Sequence, residues 1–233
     1  GAIIYCGTGP ELMSVPADGL GHPDTLYRGD GSIPSGDPAL LGCPIPLSLS
    51  PDGTQMLLQT STGDWDLVVA SVDTTLGPLT DYLSADWFEG VGRISPDGHW
   101  VAYTSGEQGV TDENARTRIF VTSFPKAGQR FPVSDTDGNY ATWAPDGRTL
   151  YYWRDSTLVA ASIQTSPGFA VTRRRDLFTR PSTGDYDVHP DGRRFVMTRP
   201  TDTVPFASRI RSSRLVLVVN WLDEFRRKAG AVR

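Results

Sequence analysis

Apolar and polar residues alternate along this chain in short runs, and one tripeptide punctuates the runs. Pro-Asp-Gly occurs four times, beginning at Pro51, Pro96, Pro145 and Pro190, with spacings of 45, 49 and 45 residues. Two residues before each proline stands an apolar side chain: Leu49, Ile94, Trp143 and Val188. Five and seven residues after it the same holds, with Met56 and Leu58, Val101 and Tyr103, Leu150 and Tyr152, Phe195 and Met197. A period of two is the signature of a β-strand with one face buried. Proline presets φ for a turn, aspartate accepts from backbone amides further on, and glycine supplies a positive φ. Each copy therefore predicts a hairpin between two short strands.

More strands follow in each period. Residues 67–70, 119–122 and 158–161 read as third strands, and 79–83, 129–133 and 170–178 as weaker fourth strands. A period near 45 residues with four short strands predicts an all-β fold, a β-propeller of four-stranded antiparallel blades. A helical solenoid has a similar period, but no 3.6-residue apolar stripe occurs before residue 221. Residues 3–5, 11–16 and 24–28 read as the last three strands of a partial first blade within 1–40. The four turn-bearing blades start near 45, 90, 139 and 184, so the propeller spans 1–220. Residues 221–233 read as a short docked helix and tail, with Leu222 and Phe225 three apart and acids ahead of bases. The chain is expected to be an incomplete part of a longer propeller with further blades ahead of residue 1; five blades closing over an imperfect seam is the other arrangement.

Composition agrees with many turns: 24 Gly and 18 Pro among 233 residues, above the usual share of about 12%. The formal net charge is −5, which argues against nucleic acid as the partner. It is unevenly spread. Residues 1–172 hold 8 basic and 20 acidic side chains, and residues 173–233 hold 14 basic and 7 acidic. The basic end, from Arg209 through Lys228, is expected to neighbour the acidic beginning on closure; contact with a membrane surface or an acidic partner is the other use for it. No apolar run reaches the ~18 residues of a membrane span. Two cysteines, Cys6 and Cys43, exclude a multi-disulfide scaffold and a multi-cysteine zinc site. They read as two buried thiols, with a single bridge as the alternative.

With the repeats in place, a resemblance emerges. Ser50-Pro51-Asp52-Gly53, Ser95-Pro96-Asp97-Gly98 and Ala144-Pro145-Asp146-Gly147 resemble the WD40-like repeats of TolB-type propellers. The stretch from Ile94 to Arg227 resembles the C-terminal propeller of bacterial serine/threonine protein kinases. It does so through Ile94-Ser95-Pro96-Asp97-Gly98-His99-Trp100, Trp143-Ala144-Pro145-Asp146-Gly147, Tyr186-Asp187-Val188-His189-Pro190-Asp191-Gly192 and the ending Asn220-Trp221-Leu222-Asp223-Glu224-Phe225. The loops at 106–117 and 200–213 are longer than the family pattern. The resemblance implies an extracytoplasmic location, periplasmic or at the cell surface, with any membrane attachment supplied by the parent. It also implies a non-catalytic chain, with any enzyme N-terminal to it; the sequence has no His-Arg-Asp catalytic loop, Asp-Phe-Gly or glycine-rich phosphate loop.

Catalytic chemistry is sparse. No Gly-x-Ser-x-Gly elbow is present. His22, His99 and His189 read as exposed loop residues, and Asp135-Thr136-Asp137-Gly138-Asn139 reads as a plain turn rather than a calcium loop. No cofactor or metal is expected. Three residues before each turn proline the side chain is always polar: Ser48, Arg93, Thr142 and Asp187. The first strand of a blade lies nearest the axis, so these four are candidates to line a central channel and bind a ligand; hydrogen bonding between blades is the other use for them. Arg93 is the strongest, because a guanidinium grips an anion bidentately. The expected role is a binding or scaffolding domain for a protein or small-molecule partner. The alternatives are a substrate-gating propeller of a prolyl-oligopeptidase-type hydrolase, or a propeller lyase or hydrolase with its site at the channel mouth.

Overall fold

The computed structural model describes residues 2–7, 11–18, 20–29, 43–60, 65–106, 117–179 and 186–197. Every regular element among them is a strand, and the strands form five antiparallel sheets in chain order. The first has three: β1 (Ala2–Cys6), β2 (Glu11–Pro16) and β3 (Asp24–Arg28). The second runs β4 (Ile45–Leu49), β5 (Gln55–Gln59), β6 (Leu67–Ser71), β7 (Thr80–Leu83). The third runs β8 (Glu89–Ile94), β9 (Trp100–Ser105), β10 (Arg118–Ser123), β11 (Phe131–Pro132). The fourth runs β12 (Asn139–Trp143), β13 (Thr149–Arg154), β14 (Thr157–Gln164), β15 (Ala170–Thr179). The fifth pairs β16 (Tyr186–Val188) with β17 (Phe195–Met197). Strands follow one another within each sheet without crossover. The fold is an open succession of propeller blades. The expected helix at 221–233 lies outside the described residues, as do most of the two long loops.

The four turns form as the tripeptide requires. Gly53, Gly98, Gly147 and Gly192 have φ of 75°, 72°, 67° and 67°, the region where only glycine is unstrained. Asp52, Asp146 and Asp191 each accept from the amide two residues on through Oδ1, and Asp97 does the same for His99. The turns also stack between blades. A Cβ on Gly98 would stand 3.3 Å from Pro51, and on Gly147 3.8 Å from Pro96.

Packing between blades buries the sheet faces, as stacked propeller blades do. In the middle sheets both faces are covered, because each sheet is sandwiched by its neighbours. Met56 and Leu58 pack toward the first sheet with Leu12 and Cys43, while the intervening Leu57 packs toward the third with Val101, Tyr103 and Phe120. Ala102 joins Trp143, Leu150 and Tyr152 at the next seam. The last described seam is aromatic, with Trp153, Phe178, Tyr186 and Phe195 edge-on to one another. Burying such side chains is the main driving force of the fold, at about 25 cal/mol per Å² of apolar surface.

Two expectations are corrected. Cys6 and Cys43 are joined in a disulfide with Cα atoms 6.0 Å apart, tying β1 to the entry of the second sheet. They are not free thiols, and packing of the first sheet on the second brings them together across 37 residues of sequence. Leu49, expected inside like Ile94 and Trp143, is 47% exposed where they are 8% and 6%. Those two lie against the inner strand of the preceding sheet, and no such strand stands beside Leu49 among the described residues.

Candidate functional site

The inner strands β4, β8, β12 and β16 carry the four polar candidates in one register. Ser48 lies opposite Leu57, Arg93 opposite Ala102, Thr142 opposite Tyr151 and Asp187 opposite Val196. In the first three cases the pairing slips just before the candidate, between Pro46 and Ser48, Gly90 and Arg93, and Asn139 and Thr142. Such a bulge re-aims the side chain that follows it. It sets Val91 and Tyr140 at φ of 54° and 53°, a conformation that a β-branched residue such as valine avoids. The Val91 amide is satisfied by the buried Gln59 side chain of the preceding sheet, 2.9 Å away.

Hydrogen bonds run from blade to blade along this row. The Arg93 guanidinium donates to the Leu47 carbonyl (2.8 Å) and to that of Gly92 (3.2 Å). Ser48 Oγ accepts from the Ile94 amide at 3.1 Å. Trp143 Nε1 donates to the Arg93 carbonyl at 3.0 Å. The Tyr186 hydroxyl donates to the Tyr140 carbonyl at 2.9 Å and also bonds the Thr142 side chain. Burial pushes the Tyr186 phenol well above its ordinary range, with Thr142 and the Arg93 charge partly opposing. Arg93, Thr142 and Tyr186 thus come together; Ser48 sits on the adjoining strand; Asp187 is exposed and caps its own neighbour, the Val188 amide. Tyr186 went unnoticed in the sequence. Its signal is size, since the same repeat position elsewhere holds Leu47, Gly92 and Ala141.

A cleft of about 350 Å³ opens at the turn end of the seam between the second and third sheets. Asp52 and Gln55 line one side, and Asp97, His99 and the Phe124–Pro125 pair the other. His22 and His99 are exposed as expected. His189 departs from expectation: its side chain is 12% exposed, with the Asp191 amide donating to Nδ1. Asp135 accepts from the Thr136 amide, as in a plain turn.

At the opposite end of β8 lies a buried carboxyl that sequence reasoning also missed. Glu89 is 4% exposed and pairs across the sheet with Ser105. Desolvation, then the Asp66 charge, pushes its pKa up to about 7, against the pull of Arg130. Among the described residues, its Oε2 and the Ser105 hydroxyl find no hydrogen-bond partner. A carboxyl titrating near neutrality can hold or release a proton. A glutamate among glycines at a strand start gave no pattern by which to find it.

No protein-family model matches the sequence, and no curated protein matches it. Solved structures do. TolB from Acinetobacter baumannii aligns with a TM-score of 0.58 at 16% identity, over 87% of this chain and 48% of that one. Oligogalacturonate lyase from Vibrio parahaemolyticus aligns with a TM-score of 0.56 at 15% identity, over 87% and 57%. A puromycin-hydrolyzing peptidase from Mycobacterium tuberculosis aligns at 0.54 and 13% identity, over 77% and 29%. The chain therefore spans between 29% and 57% of the length of these structures, and the likeness is one of fold: a TolB-type β-propeller.

Proposed function

We propose that the chain is a non-catalytic binding and scaffolding propeller, the extracytoplasmic, sensor-like part of a larger bacterial protein such as a serine/threonine kinase. The observation that carries this reading is the row of inter-blade hydrogen bonds through Ser48, Arg93, Trp143 and Tyr186. It makes successive blades one rigid frame on which loops and turn-end side chains are displayed, and rigid display lowers the entropy lost on binding. The Cys6–Cys43 disulfide supports the location, because such bonds persist in oxidising compartments. Within the row, Arg93 and Thr142 are the proposed contacts for a polar group of the ligand, with Ser48 and Asp187 flanking them.

The test immobilises the purified chain and exposes it to envelope extract, with parallel assays on oligogalacturonate and on aminoacyl amides. The expected result is one stoichiometric partner, retained less well by Arg93→Lys, and no turnover. Turnover of either substrate replaces the reading with an enzyme. Recovery of a hydrolase domain as the partner replaces it with a gating propeller.

A further inference from the structure

We infer that the cleft between Gln55 and Phe124 receives a lysine or arginine side chain from a basic segment of a partner protein; this rests on the reading of the chain as a protein-binding propeller. Repetition supplies the first reason. Gln55 pairs with Ser71 as Trp100 pairs with Ser123 in the next sheet, so the two occupy the same place in the repeat. Around Trp100 the space is filled: its indole packs against Phe131 at 6.1 Å and Phe169 at 5.3 Å, and the two phenyl rings stack at 5.1 Å. At Gln55 the equivalent space is the cleft. The space that three rings close around Trp100 is open to one side chain at Gln55.

Chemistry supplies the second reason. Phe124 and Pro125 give an apolar wall for an aliphatic stem, and Asp52 and Asp97 give two carboxylates for a cationic head. Each carboxylate is held in place through Oδ1: Asp52 by Ser50 and Thr54, Asp97 by Ser95 and the His99 amide. The Ser50 hydroxyl, then Thr54, keeps the Asp52 carboxyl below the usual carboxylate range, so it is charged at any physiological pH. Residues 1–172, the part of the chain that supplies the whole cleft lining, hold 20 acidic against 8 basic residues. That field draws in a basic segment and disfavours an acidic one.

The experiment follows the anisotropy of a fluorescein-labelled peptide of alternating glycine and arginine on the full 233-residue chain, with the glycine–glutamate peptide as control. The arginine peptide is expected to bind saturably, more tightly at low salt, and the glutamate peptide not at all. Gln55→Trp, which places the next blade's indole in the space, should weaken binding about tenfold or more, as loss of an anchor pocket does. Gln55→Lys serves as the second variant and should do the same by charge. Asp97→Asn keeps the turn acceptor and removes the charge, and should weaken binding about threefold to tenfold with a shallower salt dependence. Equal binding by the Gln55 variants overturns the inference, as does absence of binding to the parent chain. If Gln55→Trp retains the envelope partner undiminished, the cleft inference alone falls. If the parent chain turns over substrate, the binding reading falls with it.

Discussion

Trp143 Nε1 donates to the carbonyl of Arg93, and the Arg93 guanidinium in turn donates to the carbonyl of Leu47. Three successive inner strands are thereby linked by side chains that each reach back about one repeat. Trp143→Phe keeps most of the packing and removes the first link, leaving a part-buried carbonyl short of a donor. Its expected effect is a loss of about 1 kcal/mol, read from the urea midpoint.

Arg93→Ala removes a charge-assisted donor from Leu47, and the expected loss is about 1.5–3 kcal/mol. In a double-mutant cycle with Trp143→Phe the two losses should not add, because both act on one chain of bonds. Simple additivity by denaturation would show that the links act independently.

The Cys6–Cys43 bond closes a long loop and clamps the first sheet to the second. Cys43→Ser is expected to cost about 2–4 kcal/mol. Cys6→Ser, the double variant and the reduced parent should match it, since each removes the same crosslink. A parent whose midpoint ignores reductant would contradict the clamp.

Gly98→Ala and Gly53→Ala separate backbone strain from turn stacking. Both force a Cβ into positive φ, at about 1–2 kcal/mol. Only the first also presses on a neighbouring proline, 3.3 Å away, whereas nothing lies within 4 Å at Gly53. Gly98→Ala should therefore be the less stable of the two in paired urea titrations.

Glu89 sets a pH dependence. Unfolded, it ionises near its ordinary value of 4.5; folded, near 7. Between those values the native state holds a proton that the unfolded state has released. Stability should therefore fall as pH rises from 4.5 to 7 and stay at the lower level above. Glu89→Gln should match the parent at pH 4 and exceed it at pH 8 by on the order of 3 kcal/mol. Parallel profiles for the two proteins would remove Glu89 as the cause.

The strands and turns were legible before any coordinates because their causes are local. Proline and glycine in the tripeptide confine φ within a few residues, and the period of two is a property of the extended backbone itself. The four polar positions were legible as a row for the same reason. Their hydrogen-bond partners were not, since Leu47, Tyr140 and Tyr186 lie in other repeats or at positions without a pattern. Gln55 and Trp100 could be aligned by counting from Pro51 and Pro96; that one leaves a cleft and the other fills it depends on Phe169, which a different sheet contributes.

The sequence alone determined that this chain is a set of repeated antiparallel sheets, because each hairpin is specified by residues within reach of one turn. Only the tertiary structure decided which faces are covered, that Cys6 meets Cys43, that Glu89 is desolvated and that Arg93 is tied to its neighbour. Those outcomes depend on which sheet lies beside which, and packing between distant segments is not written in any local run of residues.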